Sequence, residues 1–316
     1  MIKPDLQSSL ARAALNRNPL SVSMNPAAPL PVLGAFGLAL MFGLIAAGAA
    51  PTESPAPKAD QGTNAPPAPA LAKATTNQSG GSLQVAGELV VSLDARDASA
   101  GGPVWTNRGT LGNFTRIGGP KLATAGSQPA VQFNGKSDAY RSEKPTPATI
   151  TGAHARSIEV WVYNPGFDST EECMVAWGHR GATLNNLAFN YGSGGDFSAV
   201  THYDQDMSWG EASPAAGQWH DLAYTHDGKT AKIYDNGVER GSHEFALETA
   251  ADNRMNIAVE NSAEGEPLFE SEWEPNWGLS LSGFIATVRV HSGALSAEQV
   301  KANFNTDKAR FGIADQ

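Results

Sequence analysis

The sequence predicts an all-β fold for most of the chain: a two-sheet antiparallel sandwich with one short C-terminal helix, preceded by an N-terminal hydrophobic helix and a disordered linker. From about residue 84 onward, short runs rich in Val, Ile, Trp, Tyr and Phe alternate with clusters of Gly, Asn, Asp and Pro, which is typical of sandwiches and barrels. Tight-turn dipeptides divide one stretch into a meander, and a single segment near the end carries a helix N-terminal signal.

The N-terminal segment is predicted to direct export. Residues 30–50, "LPVLGAFGLALMFGLIAAGAA", contain no charged side chain, and Lys3, Arg12 and Arg17 precede them, which keeps the N-terminus in the cytoplasm. The run ends in small residues of the A-x-A form that signal peptidase accepts. Its length also fits a retained anchor, since about 20 apolar residues span a bilayer. Residues 1–50 are therefore a signal peptide or a signal anchor, and the remainder is expected outside the cytoplasm, secreted or membrane-tethered.

A linker follows at residues 51–83. It is dominated by Pro, Ala, Ser, Thr, Gly, Asn and Gln and has no aromatic residue. Such a segment cannot bury enough apolar surface to offset the entropy of ordering. We therefore expect a disordered, semi-extended spacer in front of a single domain at residues 84–313.

The strands of this domain follow from local patterns. "ELVVSL" opens it, and "SIEVWVYNP" alternates, with Ile158, Val160 and Val162 on one face and Glu159, Trp161 and Tyr163 on the other. "CMVAWGH", "NLAFNYG" and "FSAVTHY" predict three further strands, and "LSGFIATVRVHSG" predicts a late one.

The meander and the helix have the most specific signals. Asp227-Gly228 and Asn236-Gly237 are strong turn dipeptides and predict strands at 218–225, 230–235 and 238–245. In "LSAEQVKANF", Ser296 and Gln299 have the spacing of a capping box at the start of a helix.

Composition excludes several functions. The formal net charge is -10 and no Lys/Arg cluster occurs, so a nucleic-acid partner is not expected. The single cysteine, Cys173, rules out an intramolecular disulfide and any multi-cysteine metal site. It lies in the apolar run "CMVAWG" and is interpreted as a buried thiol.

The stretch "GQWHDLAYTHDGKTAKIYDNGVE" resembles the central signature of laminin-G-like jelly-roll domains in the concanavalin A-like lectin/glucanase superfamily. The matching residues are Trp219, Leu222, Ala223, Thr225, Tyr234, Asn236 and Gly237. "GFIATVRVHSGALSAEQVKANF" is similar to the family's last strand and closing helix, and the resemblance spans nearly all of residues 86–312. It implies a jelly-roll sandwich with one concave face. It says little about activity, because this fold hosts lectins, adhesion modules and glycosidases.

The sequence leaves enzymatic activity open but favours a protein without it. Glucanases of the superfamily carry a Glu-x-Asp-x-x-Glu strand motif that supplies a nucleophile and an acid/base. "DQDMSWGE" comes closest here but lacks the first Glu at the right offset. No Gly-x-Ser-x-Gly elbow occurs either. An unrecognised acid pair, for instance Glu159 with Glu211 or Asp206, remains the alternative.

The resemblance also raises the question of calcium, because family members often hold Ca²⁺ at the rim of the sandwich. Carboxylates and carbonyl oxygens are the ligands that Ca²⁺ prefers. The candidates here are Asp94 and Asp97 in "SLDARDAS", and Asp206. No cofactor is certain, and calcium stays an open alternative.

Strand parity predicts a binding face. In "FSAVTHYD", His202 and Asp204 share the face assigned to solvent, as do Asn186 and Asn190 in "NNLAFNYG". If these strands are neighbours, the side chains meet Trp177, His179 and Arg180, with Trp209 in an adjoining loop. Amides, a guanidinium and aromatic rings suit sugars.

We therefore expect a non-catalytic extracellular recognition module. Its concave face, carrying Asn190, His202 and Asp204, is predicted to bind a glycan or a cell-surface protein. The membrane is involved only through the N-terminal anchor, if that anchor is retained. Two alternatives stay open: a glycosidase on the same fold, and a structural adhesion domain without a small ligand.

Overall fold

The computed structural model describes residues 81–168, 170–192, 198–272 and 276–314. The predicted hydrophobic segment and nearly all of the predicted linker lie outside these ranges, so both stay predictions. Within the described ranges no helix is long and apolar enough to span a bilayer. The chain already touches the domain at its first described residues: Thr306 Oγ1 donates to the Gly81 carbonyl over 3.2 Å, and Asn303 Oδ1 accepts from the Gln84 N–H over 2.6 Å.

Strands make up most of the regular secondary structure in the described residues. In the first half of the domain they are β1 (Leu89–Asp94), β2 (Val104–Trp105), β3 (Phe114–Ile117), β4 (Lys121–Ala125), β5 (Gln128–Gln132), β6 (Ala139–Pro145), β7 (Arg156–Tyr163), β8 (Cys173–Gly178) and β9 (Asn186–Asn190). In the second half they are β10 (Val200–Thr201), β11 (Asp206–Met207), β12 (Trp219–His226), β13 (Thr230–Asp235), β14 (Val238–Glu244), β15 (Arg254–Ile257), β16 (Glu260–Asn261), β17 (Pro267–Leu268) and β18 (Phe284–His291).

Within the part of the chain that the structure describes, helical structure is confined to short segments. The α-helix α1 (Ala297–Asp307) follows the last strand, and 3₁₀ turns occupy Ala148–Ile150, Gly210–Ala212 and Lys308–Phe311. The predicted capping box is present: Ser296 Oγ accepts from the Gln299 N–H, and the Gln299 side chain accepts from the Ser296 N–H. Both bonds satisfy backbone donors that a helix start otherwise leaves unpaired.

Two antiparallel sheets form the sandwich. The first has the order β14-β13-β12-β7-β18-β5-β4, with β1 also pairing with β18, and the second has the order β11-β10-β9-β8-β15-β6-β3-β2. Strands β16 and β17 form a separate small hairpin. The predicted meander is β12-β13-β14, and its second turn places Asn236 and Gly237 at φ 54° and 74°, where these residue types cost little. The all-β sandwich with one C-terminal helix is thereby confirmed.

The hydrophobic core lies between the two inner faces. Ile158, Val160 and Val162 contribute from β7, as the alternation predicts, and Leu187 and Phe189 contribute from β9. Burying each such side chain fully contributes about 1.5–3 kcal/mol. The strand residues that alternate with these core residues therefore point to the outer faces of the sheets.

The outer face of the first sheet is covered by the C-terminal segment. The Trp161 ring stacks on Phe304 at 5.9 Å and on Phe311 at 3.8 Å between ring centroids. Beside it, Asn303 Nδ2 donates to Glu159 Oε1 over 2.9 Å, and His291 Nε2 lies 3.0 Å from Glu159 Oε2. The outward residues of β7 are thus aromatic and acidic groups that α1 shields from water.

We predict that Phe311→Ala lowers the free energy of unfolding by about 3 kcal/mol, because it leaves a cavity against Trp161. Urea denaturation followed by tryptophan fluorescence measures this. The matched control is Phe167→Ala, whose side chain is 45% exposed, with an expected loss near 0.5 kcal/mol. Equal losses in the two variants would show that the stacked C-terminal segment does not stabilise the sandwich.

Candidate functional site

Strands β8, β9 and β10 lie side by side in the second sheet, as the binding-face prediction requires. One row of side chains crosses the outer face of this sheet in register: Thr201, Ala188, Ala176 and Asn256. Since Leu187 and Phe189 point into the core, Asn186 and Asn190 point outward with Ala188. Cys173 is buried beside the two alanines, as its interpretation as a buried thiol predicts. These small side chains leave space above the strands for longer ones.

That space holds a network that we call the polar face. Its members are Glu171, Arg180, Asn186, Asn190, Asp206, Glu260 and Trp277. Arg180 reaches over the strands from the β8–β9 turn, and its Nη1 contacts Glu260 Oε2 and also Glu171 Oε1, the latter at 3.5 Å. Because both carboxylates contact one nitrogen atom, a single cation serves the two acids.

Amides and an indole complete the hydrogen bonding of the two acids. Asn186 Nδ2 donates to Glu260 Oε1 over 2.7 Å, and Asn190 Nδ2 donates to Glu171 Oε2 over 3.4 Å. Trp277 Nε1 donates to Glu171 Oε1 over 3.0 Å. Together with the arginine contacts, each of the four carboxylate oxygens has a donor from the protein. This degree of satisfaction is what a buried charged network needs to be stable.

Burial dominates the electrostatics of the pair. Loss of solvent raises the pKa of Glu260 well above its ordinary value, and the neighbouring Glu171 raises it further. Burial also raises the pKa of Glu171, against the opposing effect of Arg180. Two buried acids beside one cation therefore hold a proton more tightly than acids in water do.

Part of the polar face reaches solvent. Trp277 and Asp206 are partly exposed, and the Arg180 side chain is 11% exposed. Asp206 Oδ1 accepts from Thr201 Oγ1 over 2.7 Å and from the His202 N–H over 2.9 Å, and burial raises its pKa. A ligand that approaches this face contacts the Trp277 ring, the Arg180 guanidinium and the Asp206 carboxylate. The buried carboxylates beside them are already hydrogen-bonded within the protein.

Two of the predicted contact residues belong to the hydrophobic core. Trp177 points between the sheets and donates from Nε1 to the Ile150 carbonyl over 3.1 Å. Trp209 is 2% exposed and packs 6.3 Å from the Phe189 ring. Both tryptophans fold inward because each has apolar neighbours and a carbonyl that accepts its N–H. Their expected position at an open face is therefore corrected.

His202 is also buried, which reverses the predicted parity of its strand. Strand β10 has only two residues, and Val200 enters the core, so Thr201 faces out and His202 faces in. His202 Nδ1 lies 3.1 Å from the Asn186 carbonyl oxygen, and Nε2 lies 3.3 Å from the Tyr224 hydroxyl. Burial lowers the pKa of His202 to about 3, so the imidazole is neutral near pH 7.

Asp204 and His179 lie on loops beside the polar face. Asp204 follows Tyr203 in a turn where both have positive φ, 66° and 62° in chain order, and its Oδ2 accepts from Thr183 Oγ1 over 3.1 Å. His179 is partly exposed at the end of β8. Of the predicted binding residues, the structure therefore gathers Arg180, Asn186 and Asn190 on one face, with these two at its edge.

The predicted calcium ligands do not come together. Asp94 pairs with Arg96 and Arg310, and Asp97 pairs with Arg108. Asp206 lies on the polar face instead. Across the described ranges, no group of three or more His, Cys, Asp or Glu side chains is placed to hold a metal ion. Carboxylates already neutralised by guanidinium groups do not fit the donor set that Ca²⁺ requires.

The suggested acid pairs are also separated. Glu159 lies on the outer face of the first sheet beneath α1, whereas Asp206 lies on the outer face of the second. The core stands between them. Glu211 belongs to an exposed 3₁₀ turn. These pairings therefore do not provide two carboxylates that flank one bond.

The sequence interpretation missed Glu171 and Glu260. The nearest signal for the first is the double acid Glu171-Glu172 directly before the apolar strand in "STEECMVAWG". Acids flanking a buried strand need partners, which would have pointed to Arg180.

Comparisons with known proteins agree with this architecture. The family model Laminin_G_3, described as the concanavalin A-like lectin/glucanases superfamily, matches residues 134–301. Domain 4 of AbnA, an extracellular GH43 arabinanase from Geobacillus stearothermophilus, solved in complex with arabinotriose, is 19% identical with a TM-score of 0.50, over 68% of this chain and 98% of that one. No curated protein matches the chain.

Toxin domains are more distant. The binding domain of botulinum neurotoxin serotype D is 13% identical with a TM-score of 0.45, over 69% of this chain and 51% of that one. The binding domain of Paraclostridial Mosquitocidal Protein 1 is 14% identical with a TM-score of 0.45, over 69% and 52%. The AbnA likeness establishes a shared fold, and none of the three establishes a shared ligand.

We predict that Glu260→Gln changes how stability depends on pH. As pH rises above 4.5, the ordinary pKa of Glu260, the folded protein still holds a proton that the unfolded chain releases, so the wild type loses stability. The variant has no such proton, so its free energy of unfolding relative to the wild type rises with pH. Denaturation curves from pH 4 to 8 measure this.

The control for this experiment is Glu244→Gln, because the Glu244 side chain is 63% exposed. Its stability curve is expected to run parallel to that of the wild type. A parallel curve for Glu260→Gln as well would contradict the raised pKa of the buried pair.

Proposed function

The chain belongs to the concanavalin A-like lectin/glucanases superfamily, and from this premise we propose that it is a non-catalytic recognition module whose polar face binds carbohydrate. One observation carries the proposal: the partly exposed Trp277 lies beside a floor of hydrogen-bonded amides and carboxylates, with its N–H already donated to Glu171. The ring is thereby fixed in orientation before a ligand arrives.

The chemistry of sugars matches this arrangement. A pyranose or furanose ring has an apolar face, which packs on an aromatic ring, and a periphery of hydroxyl groups, which exchange hydrogen bonds. Trp277 supplies the aromatic surface, Arg180 supplies donors, and Asp206 supplies an acceptor. Because the carboxylate oxygens of Glu171 and Glu260 beneath them already have donors from the protein, little ordering is required on binding, and this favours affinity.

Geometry supports binding over hydrolysis. A retaining glycosidase needs two carboxyl groups about 5–5.5 Å apart, one of which attacks the sugar. Glu171 and Glu260 are close, but they are 3% and 0% exposed, and Arg180 contacts both. All four of their oxygens are already hydrogen-bonded within the protein. Glu171 and Glu260 are therefore better suited to supporting the polar face than to acting as a nucleophile and a general acid.

The setting of the module is proposed from the sequence. The predicted hydrophobic segment at residues 30–50 and the predicted linker at 51–83 favour a domain outside the cytoplasm, secreted or held at a membrane. A recognition module on a long spacer there would meet glycans of its surroundings. A cell-surface protein that lacks glycan is the competing partner, and the binding experiment separates the two.

Oligosaccharide titration tests the proposal. Arabinotriose, which was bound to domain 4 of AbnA, is the first probe, followed by a glycan array. We expect saturable binding by the wild type and a loss of about 2 kcal/mol, ~30-fold in Kd, in Trp277→Ala. Trp277→Phe keeps an aromatic surface without the N–H and is expected to lose less. Calorimetry or fluorescence measures the affinities.

The control is Leu122→Ala, an exposed apolar residue of β4 in the other sheet, which should bind as the wild type does. Melting temperatures confirm that the variants fold. Absence of saturable binding to any glycan, or equal affinity in Trp277→Ala, would refute the proposal. Release of reducing ends from a polysaccharide panel would establish the glycosidase alternative instead.

A further inference from the structure

A second site is suggested by a cavity on the opposite side of the sandwich. It lies between the β13–β14 hairpin and the helix α1, which covers the outer face of the first sheet, and its volume is about 270 Å³. Three cationic side chains line it: Arg240 from β14, Lys301 from α1 and Lys308 just after α1. The formal charge of the whole chain is -10, so a cluster of three cations stands out against its surroundings.

A glycine at the hairpin tip brings the two elements together. Gly237 has φ 74°, and a Cβ atom on it would lie 3.2 Å from Lys301 Cα and 3.2 Å from the Phe304 ring. The hairpin therefore rests directly on the helix backbone at this point. This close approach places Arg240 and Asn236 next to the lysines of the helix.

In this cavity, the charges of Arg240 and Lys301 are only partly compensated. Asp235 is the one carboxylate among the residues that line it. Its Oδ1 lies 2.7 Å from His220 Nδ1, and its Oδ2 lies 3.8 Å from Arg240 Nη2. Lys301 forms no salt bridge with any residue of the described ranges. An anion would therefore gain Coulomb attraction here without displacing a well-formed ion pair.

The other lining groups narrow the class of anion. Asn236 and Asn305 add amides, and Asn236 is held by accepting from the Asp221 N–H over 2.9 Å. Phe304 and Ile313 add apolar surface. A cavity somewhat below the usual range of about 300–1,000 Å³ for drug-sized ligands admits a single small ring. Guanidinium and ammonium donors suit a carboxylate, amides suit hydroxyl groups, and an apolar wall suits the face of a ring.

We propose that this cavity binds a carboxylate-bearing sugar, such as a uronic acid unit of an acidic glycan. The site is separate from the polar face in position and in charge, so it goes beyond the recognition function proposed above. The carboxylate contacts Lys301 and Arg240, and the ring packs towards Phe304.

Titration of the full chain with D-glucuronate tests the proposed site, and D-glucose serves as the uncharged control ligand. NMR or calorimetry measures the binding. We expect saturable glucuronate binding that weakens as salt increases, and no binding of glucose at the same concentrations. Lys301→Gln and Arg240→Gln should each raise the Kd at least about tenfold. Lys308 is a less suitable test residue, because its Nζ lies over the Phe304 ring at 5.7 Å and a substitution would also remove this packing contact.

The control is Lys136→Gln, which removes one exposed lysine from the turn at residues 134–138. It should leave glucuronate binding unchanged. No glucuronate binding, binding unaffected by Lys301→Gln, or equal binding of inorganic sulfate would each overturn the proposal. Trp277→Ala should not alter glucuronate binding and Lys301→Gln should not alter arabinotriose binding, so failure of either site is told apart from failure of the other.

Discussion

One cation shared by two buried acids determines the arrangement of the second sheet's outer face. Without Arg180, Glu171 and Glu260 would be left as neighbouring acids away from water, and breaking such a buried pair typically costs 3–5 kcal/mol. Arg180 lies in the turn after Gly178. Gly178 has φ 98°, and a Cβ atom at this position would collide with the Asn185 carbonyl oxygen. A tight turn in the backbone therefore positions the charge, and the charge positions the amides and the indole around it.

The two outer faces of the sandwich are closed by different means. On the first sheet, β7 presents Trp161, and an aromatic stack with the C-terminal segment covers it. On the second sheet, β8 and β9 present Ala176 and Ala188, and long polar side chains from neighbouring loops lie over them. Bulky outward residues thus require a helix above them, whereas small ones leave space for a polar network. The identity of a few outward side chains explains why one face is shielded and the other carries functional groups.

Local patterns were sufficient to predict much of the fold. The meander, the capping box and the strand β7 each depend on residues close in sequence, and all three are present. The parity of β10 failed because two residues are too few to define an alternation, and the apolar Val200 took the inner position. The polar face could not be assembled from sequence because Glu171, in the loop before β8, and Glu260, in β16, are far apart in the chain and are linked by Arg180. Asp94 is a similar case, since one of its cations, Arg310, follows the C-terminal helix.

The charges of the two faces separate the ligands that each can accept. The polar face sets one arginine beside Glu171, Glu260 and Asp206, so it offers an anion no excess positive charge and suits a neutral sugar better. The cavity beside α1 is lined by Arg240, Lys301 and Lys308, and Asp235 is the one carboxylate among its lining residues, so it suits an anion better than the polar face does. The polar face and the cavity lie on opposite outer faces of the sandwich with the hydrophobic core between them, so one domain presents two surfaces of different charge to its surroundings.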